Sequence, residues 1–163
     1  MIIAVKLFLL AVLAIIAFQD FKERMVWIIL FPFFMVLAGF LYYVSTVAEV
    51  FFYNILLNLI FIGFIILLCF LYAKLVVKKN FTSEVMGLGD ILFFLGFAVS
   101  FPTITFLNFF FFSIIFTMII HFLLKNFSSG NFKNIPLAGG MSLFLISVYS
   151  IHWFGFYNTI YSI

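Results

Sequence analysis

Charged side chains are scarce in this sequence, and their scarcity is its most informative property. Only 8% of the 163 residues are charged, whereas 68% are hydrophobic. A soluble domain averages about 25% charged and about 45–50% apolar residues. A chain of this length has too much surface to hide such an apolar excess from water. The composition therefore excludes an ordinary soluble domain and predicts a chain surrounded by lipid, with most of its 29 phenylalanines facing that lipid.

Residues that bind metals are also rare. The sequence has one cysteine, Cys69, and two histidines, His121 and His152. One thiol forms neither an internal disulfide nor a CxxC zinc pair, and neither histidine has a second histidine at i+3 or i+4. We therefore expect no metal and no cofactor. The net charge of +3, without a basic patch interleaved with exposed aromatic residues, also argues against a nucleic-acid partner.

Long apolar runs dominate what is present. Crossing the hydrocarbon core of a membrane takes about 20 apolar residues. The runs cover residues 2–18, 26–44, 50–73, 88–101, 104–124 and 137–156. We expect the first helix to be retained, because no small-x-small cleavage signature follows it. The sequence thus predicts an all-α integral membrane protein of about six transmembrane helices, with residues 1–163 forming a single domain.

The boundary between the fourth and fifth runs depends on one of the three prolines. Residues 88–124 are too long for one span, and Pro102 lies where a helix would end or kink. We therefore expect a turn at residues 100–103, with a short fourth span that begins about one turn before Leu88. Two asparagines in apolar runs, Asn58 and Asn108, are expected to form hydrogen bonds between helices.

The basic residues predict an orientation. Seven of the eight follow odd-numbered runs: Lys22 and Arg24 the first, Lys74, Lys78 and Lys79 the third, Lys125 and Lys133 the fifth. Positively charged loops tend to be cytoplasmic. The exits of the first, third and fifth helices are therefore predicted to face the cytoplasm, and both termini the outside.

Two of the five acidic residues are candidates for chemistry. Asp20 follows the first run, and Asp90 lies just inside the fourth, after Gly87 and Gly89. A carboxylate at the centre of a membrane helix costs about 2.5–3.5 kcal/mol, so its retention needs a reason. Small residues let another chain approach closely. Both aspartates fall on the predicted cytoplasmic side, where a carboxylate pair could divide the roles of acid and base.

Three segments of the sequence resemble the motifs of one protein family, and they occur in the same order and at the same spacing. Residues 84–90 resemble the E-x-M-G-x-G-D motif of the type IV prepilin peptidases, the GxGD aspartic peptidases of the bacterial inner membrane. Residues 20–26 resemble that family's first motif, an aspartate followed by basic residues and an aliphatic position. Residues 135–138 are similar to its I-P-[FL]-[AG] stretch, and six spans match its catalytic core.

The resemblance implies that Asp20 and Asp90 are the catalytic pair, with Gly87 and Gly89 as glycines of the motif. Lys22 and Arg24 correspond to the supporting basic residues of the first motif. The family cuts short basic leaders from type IV pilin-like and pseudopilin precursors, for pilus assembly and protein secretion. The expected partners are thus such a precursor and the lipid bilayer. Glu23 and Glu84 flank the pair, and we expect them to attract the basic leader. The alternative role for Glu84 is to cap the fourth span by interacting with the positive end of its helix dipole.

The sequence also departs from the family. Trp27 and Ile28 replace its Pro-Asn, and the zinc-binding cysteine segment of the long members is absent, as is any recognisable S-adenosylmethionine site. The chain therefore looks like a short, peptidase-only form.

Other functions stay open at this stage. Asp20 and Asp90 could instead serve a small ion- or proton-coupled transporter subunit. The chain could also be a structural scaffold in a secretion or pilus assembly, or a presenilin-like intramembrane protease. A transporter pair should lie near the bilayer midplane, whereas both aspartates are predicted near one interface.

Overall fold

The computed structural model describes residues 2–77, 87–127, 135–155 and 160–161. Within these ranges the chain forms six α-helices and no strand, which confirms the predicted all-α class. The helices are α1 (Ile2–Glu23), α2 (Leu30–Val44), α3 (Ala48–Tyr72), α4 (Leu88–Ala98), α5 (Thr103–Phe127) and α6 (Leu137–Trp153). A π-helical turn, Ala73–Val77, directly continues α3.

The helices fall into two length classes. Three segments are long and apolar enough to cross a membrane: Ile2–Glu23, Ala48–Val76 and Thr103–Lys125. The other three, α2, α4 and α6, are apolar but shorter, with 15, 11 and 17 residues. At a rise of about 1.5 Å per residue, α4 is only about 16 Å long.

Phenylalanines build much of the core. α1 packs against α2 and α6, α2 packs against α4, and α5 packs against α6. Phe34 of α2 stacks on Phe93 of α4 with ring centroids 5.1 Å apart. The expectation that phenylalanine mainly faces lipid is therefore only partly met, since fully buried rings join the helices: Phe31, Phe34, Phe93, Phe97, Phe101 and Phe106.

The first helix ends later than the apolar run, and the second begins later. α1 continues past residue 18 to Glu23, and α2 begins at Leu30 rather than at Val26. Arg24 adopts a positive φ of 56°, which ends the helix. The Gln19 side-chain carbonyl then accepts a hydrogen bond from the Trp27 backbone N–H at 3.0 Å. This bond fixes the α1–α2 loop at the position where the sequence departs from the family's Pro-Asn.

The prediction that the fourth span begins before Leu88 is wrong. Gly87 is extended, with ψ of 147°, and α4 begins at Leu88. The Gly87 carbonyl accepts the first hydrogen bonds of the helix, from the N–H groups of Asp90 at 3.1 Å and Ile91 at 3.3 Å. The extended backbone of Gly87 therefore sets the start of α4.

The turn between α4 and α5 occurs where Pro102 predicts it, but it lies inside the bundle. Ser100 and Phe101 are completely buried. The Asn58 side chain of α3 donates hydrogen bonds to the carbonyls of Ala98 at 2.8 Å and Phe101 at 3.0 Å. These bonds satisfy backbone groups that the end of α4 leaves without helical partners. Asn58 therefore has its predicted interhelical role, whereas Asn108 is exposed on α5.

We expect Asn58→Leu to destabilise the fold by about 1–3 kcal/mol, because buried carbonyls lose their donors. Thermal unfolding in detergent measures this loss. Asn108→Leu is the matched control, since the same substitution there removes no buried hydrogen bond, and its melting temperature should stay near that of the parent chain. Equal melting temperatures for the two variants would contradict the role of Asn58.

Candidate active site

Asp20 lies in the last turn of α1, on a half-buried stretch of the helix. Its carboxylate oxygen Oδ2 accepts a hydrogen bond from the backbone N–H of Gly139, at 2.6 Å. Hydrogen bonds to an ionised acceptor are short and roughly twice as strong as neutral ones. The end of α1 is thereby joined to the start of α6, although the two residues are far apart in the sequence.

Asp90 lies in the first turn of α4 and is also half-buried. Its carboxylate interacts with the backbone N–H groups of Ala138 and Gly87, and electrostatically with Asp20. The Gly139 N–H therefore holds the Asp20 carboxylate, and the N–H of the preceding residue, Ala138, lies near the Asp90 carboxylate. The two aspartates that the sequence predicts on one face do come together.

The start of α6 is suited to hold two acids. Pro136 occupies the N-cap position, and the Gly140 N–H closes the first helical turn on the Pro136 carbonyl at 3.0 Å. The N–H groups of the first turn have no partners within the helix. Aligned peptide dipoles add a partial positive charge at this end, which favours nearby carboxylates. The first turn of α6 thus supplies both donors and a favourable field.

Glycine at position 139 makes the close approach possible. A Cβ atom placed there would lie 3.0 Å from both the Cβ and the Oδ2 of Asp20. At the next residue, Gly140, an added Cβ would lie 2.5 Å from the Cγ2 and Oγ1 of Thr117 on α5. The lack of a side chain at Gly139 therefore allows α1 to pack closely against α6, and the lack of one at Gly140 allows α5 to do the same.

The motif glycines Gly87 and Gly89 have different neighbours. A Cβ at Gly87 would lie 3.5 Å from Asp90 Oδ2, an ordinary contact beside the carboxylate. A Cβ at Gly89 would lie 3.2 Å from the Phe31 ring of α2. Gly87 thus borders the carboxylate, and Gly89 allows the tight packing of α4 on α2.

The basic residues of the first motif differ in their relation to Asp20. The charge of Arg24 acts directly on the Asp20 carboxylate. Lys22 is exposed, and its Nζ lies 5.2 Å from the ring centroid of Phe18 on the same helix. Arg24 is therefore the basic side chain that the structure associates with the acid pair.

Of the two glutamates expected at the site, the structure describes only Glu23. Glu23 is exposed at the last residue of α1, about one turn beyond Asp20. Glu84 lies outside the described residues, as do Lys78, Lys79 and Lys133. Among the described residues, no group of three or more His, Cys, Asp or Glu side chains could hold a metal ion.

Ala138 and Gly139 are the site residues that the sequence does not single out. The sequence marks residues 135–138 only as a motif that opens a helix. The signal that could have found the donors is the run of three small residues, Ala138, Gly139 and Gly140, just after Pro136 and Leu137 at a helix start, which leaves unobstructed N–H groups.

Comparisons with known proteins add no relative. No protein family, no curated protein and no solved structure matches the chain. The function is therefore argued from the residues and their geometry.

Proposed function

We propose that the chain is a membrane-embedded aspartic endopeptidase of the type IV prepilin peptidase kind. It would remove short basic leaders from pilin-like or pseudopilin precursors at the cytoplasmic face of the bacterial inner membrane. The observation that carries the proposal is the proximity of Asp20 and Asp90 at the first turn of α6, where Gly139 donates a hydrogen bond to Asp20. The motif resemblance in three segments supports it.

The proposed chemistry follows from the proximity of two carboxyl groups. Like charges held close together do not both ionise easily, so the pair shares one proton. The ionised member takes a proton from the attacking water, and the protonated member polarises the carbonyl of the scissile bond. The Gly139 N–H of α6 keeps the Asp20 carboxyl group in position.

All six helices cross the membrane in this proposal, including the short ones. α4, with 11 residues, is much shorter than the hydrocarbon core of about 30 Å. Non-helical backbone is tolerated at membrane depth only where protein surrounds it. The buried turn at Ser100 and Phe101, with Asn58 bonded to its carbonyls, meets that condition.

The charges support the proposed orientation. Lys22 lies in the last turn of α1 and Arg24 directly after it, at the end that carries Asp20, and Lys125 lies in the last turn of α5. The positive-inside rule assigns this end to the cytoplasm and both termini to the outside. The acid pair then lies near the cytoplasmic interface, within reach of a leader peptide.

The surroundings of the pair suit an apolar substrate helix that carries a basic leader. Exposed apolar side chains lie at the helix ends that carry the acids and at the start of α6: Trp27 in the α1–α2 loop, Leu88 at the start of α4 and Ile135 before α6. Glu23 adds a negative charge one turn beyond Asp20. The apolar residues would contact the precursor helix, and Glu23 would attract the leader.

The position of both aspartates at helix ends also favours the peptidase. The alternative is an ion- or proton-coupled transporter subunit. Asp20 lies in the last turn of α1 and Asp90 in the first turn of α4. A transport pair is expected near the bilayer midplane, where access to it can alternate between the two sides of the membrane.

Co-expression with a pilin-like precursor tests the proposal. Mass spectrometry of the precursor should show the loss of a leader-sized fragment in the presence of the parent chain. The control is the same expression with the doubly substituted Asp20→Asn, Asp90→Asn chain. Panels of precursors that stay intact with a correctly inserted parent chain would count against the peptidase.

We expect Glu23→Gln to weaken leader recognition by up to about fivefold, because an exposed ion pair contributes only about 0.2–1 kcal/mol. The effect should appear in KM, shrink at high salt and vanish with a neutral leader. Glu84→Gln should behave in the same way. Glu49→Gln is the matched control, since Glu49 is exposed in the first turn of α3. An equal loss of turnover for basic and neutral leaders would contradict the recognition role.

A further inference from the structure

A small cavity lies at the end of the bundle farthest from Asp20. Its volume is about 130 Å³, and its polar lining comes from Lys6, Ser45, His152, Trp153 and Tyr161. Lys6 precedes Asp20 on α1 by about 21 Å of helix axis. The cavity is therefore separate from the acid pair and unrelated to the peptidase proposal.

Lys6 gives the cavity its charge. The residue is half-buried, and its Nζ lies 5.1 Å from the centroid of the Trp153 ring. No acidic residue is among the described residues that line the cavity. Glu49, at the same end, is exposed on α3 and is not part of the lining. A partly buried ammonium group that faces a cavity without a carboxylate favours an anionic ligand.

Lys6 is also the exception to the charge pattern of the sequence. It is the one basic residue of eight that does not follow an odd-numbered apolar run. In the proposed orientation it lies at the outward face, where the positive-inside rule disfavours lysine. A ligand at this position accounts for a lysine on this side of the membrane.

The other side chains and the volume narrow the class of ligand. His152 and Tyr161 also line the cavity, and their rings meet edge to face with centroids 5.8 Å apart. The volume equals that of about four water molecules at about 30 Å³ each, which suits a single phosphate group but not a nucleotide. The three N–H donors of the Lys6 ammonium group match the acceptor oxygens of a phosphate.

A wider groove continues from the cavity. It encloses about 530 Å³ and shares Val44, Ser45 and Tyr161 with the cavity, while Val47 and Val50 extend its apolar part. A ligand with a phosphate in the cavity would thus lay an apolar portion along these valines. A phospholipid has this combination of groups.

We propose that the cavity around Lys6 binds the phosphate of an anionic phospholipid headgroup in the outward leaflet. Lys6 supplies the charge, the Trp153 ring positions its ammonium group, and the valine groove receives the apolar part of the lipid. The lipid would join the start of α1 to the end of α6.

Lipid titration of the purified full-length chain tests this site. Phosphatidylglycerol is added to the chain in detergent, and binding is followed by native mass spectrometry and by the melting temperature. Phosphatidylcholine and inorganic phosphate are the two comparison ligands. We expect phosphatidylglycerol to bind at one site, Lys6→Gln to raise its Kd at least tenfold, and Lys6→Arg to preserve binding. Lys74→Gln is the matched control, since Lys74 Nζ lies 6.0 Å from the Phe70 ring at the other end of the bundle.

Each outcome decides the proposal. Binding of phosphatidylglycerol that depends on Lys6 but not on Lys74 supports the lipid site. A second outcome is that inorganic phosphate raises the melting temperature through Lys6 while phosphatidylglycerol does not. In that case the cavity binds phosphate, but the proposal that a lipid supplies it is wrong. Equal Kd values for the parent chain and Lys6→Gln, or equal losses in Lys6→Gln and Lys74→Gln, overturn the site. None of these outcomes depends on whether the chain cleaves a precursor.

Discussion

Asp20→Asn and Asp90→Asn should each reduce cleavage of a pilin-like precursor by at least about 10³-fold, while expression and membrane insertion stay near normal. A positioned acid or base contributes about 10²–10⁴-fold to a rate, and each substitution removes one member of the pair. Asparagine has nearly the same shape as aspartate, and its side-chain oxygen still accepts the hydrogen bond that Gly139 donates to Asp20. The loss would therefore be chemical rather than structural. Initial rates with a purified precursor, together with melting temperatures, measure it.

Glu49→Gln controls for the general effect of removing a carboxylate, since Glu49 lies in the first turn of α3. It should cleave at the rate of the parent chain. Turnover above about one tenth of the parent rate in either aspartate variant would refute the pair as the catalytic residues. A chain that serves only as a scaffold would tolerate both substitutions in an assembly assay, which separates that alternative from the peptidase.

Gly139→Ala should reduce kcat by about 10- to 100-fold with little change in KM. The added Cβ would lie 3.0 Å from Asp20 Oδ2 and 3.2 Å from the Phe21 ring, so α1 and α6 must move apart. A displacement of about 1 Å at a catalytic group is enough to cost about 10²-fold in rate. Because Asp90 lies near both Asp20 and Ala138, the shift should disturb both acids together. Steady-state kinetics on the purified variant measure the effect.

Two other glycines provide controls for this variant. An added Cβ at Gly63 on α3 meets nothing within 4 Å. Gly63→Ala should thus leave kcat unchanged and stabilise the helix by up to about 1 kcal/mol. Gly140→Ala would bring its Cβ to 2.5 Å from Thr117, and such overpacking typically costs about 1–3 kcal/mol of stability. A Gly139→Ala chain with the parent kcat would contradict the close approach of α1 to α6.

Much of the helix order follows from the sequence, because apolar runs and polar punctuation are local signals. Pro102 is one such signal, because the chain turns just before it. The helices α5 and α6 begin within one residue of their predicted starts. The start of α2 could not be predicted, since it depends on the Gln19 side chain reaching the Trp27 N–H. The sequence pattern also does not reveal which phenylalanines lie inside. A helix that is apolar on all sides has no face that marks the core.

The acid pair was predictable in part. Asp20 and Asp90 stand out because charges are rare and costly in apolar helices. The backbone donors of Ala138 and Gly139 could not be found in the same way, because every residue except proline carries an N–H group. Only the packing of α1 against α6 shows which of these groups meet a carboxylate.

The hydrogen bond between Asp20 and Gly139 also constrains how the chain is assembled during synthesis. The two residues are 119 positions apart. At about 5–20 residues per second, a ribosome needs about 6–24 s to pass from one to the other. During that interval α1 is in place while its carboxylate lacks the N–H donor of α6. A nascent chain that stops before α6 therefore retains the costly acids without the N–H donor that holds Asp20. The acid site is complete only after α6 has been made.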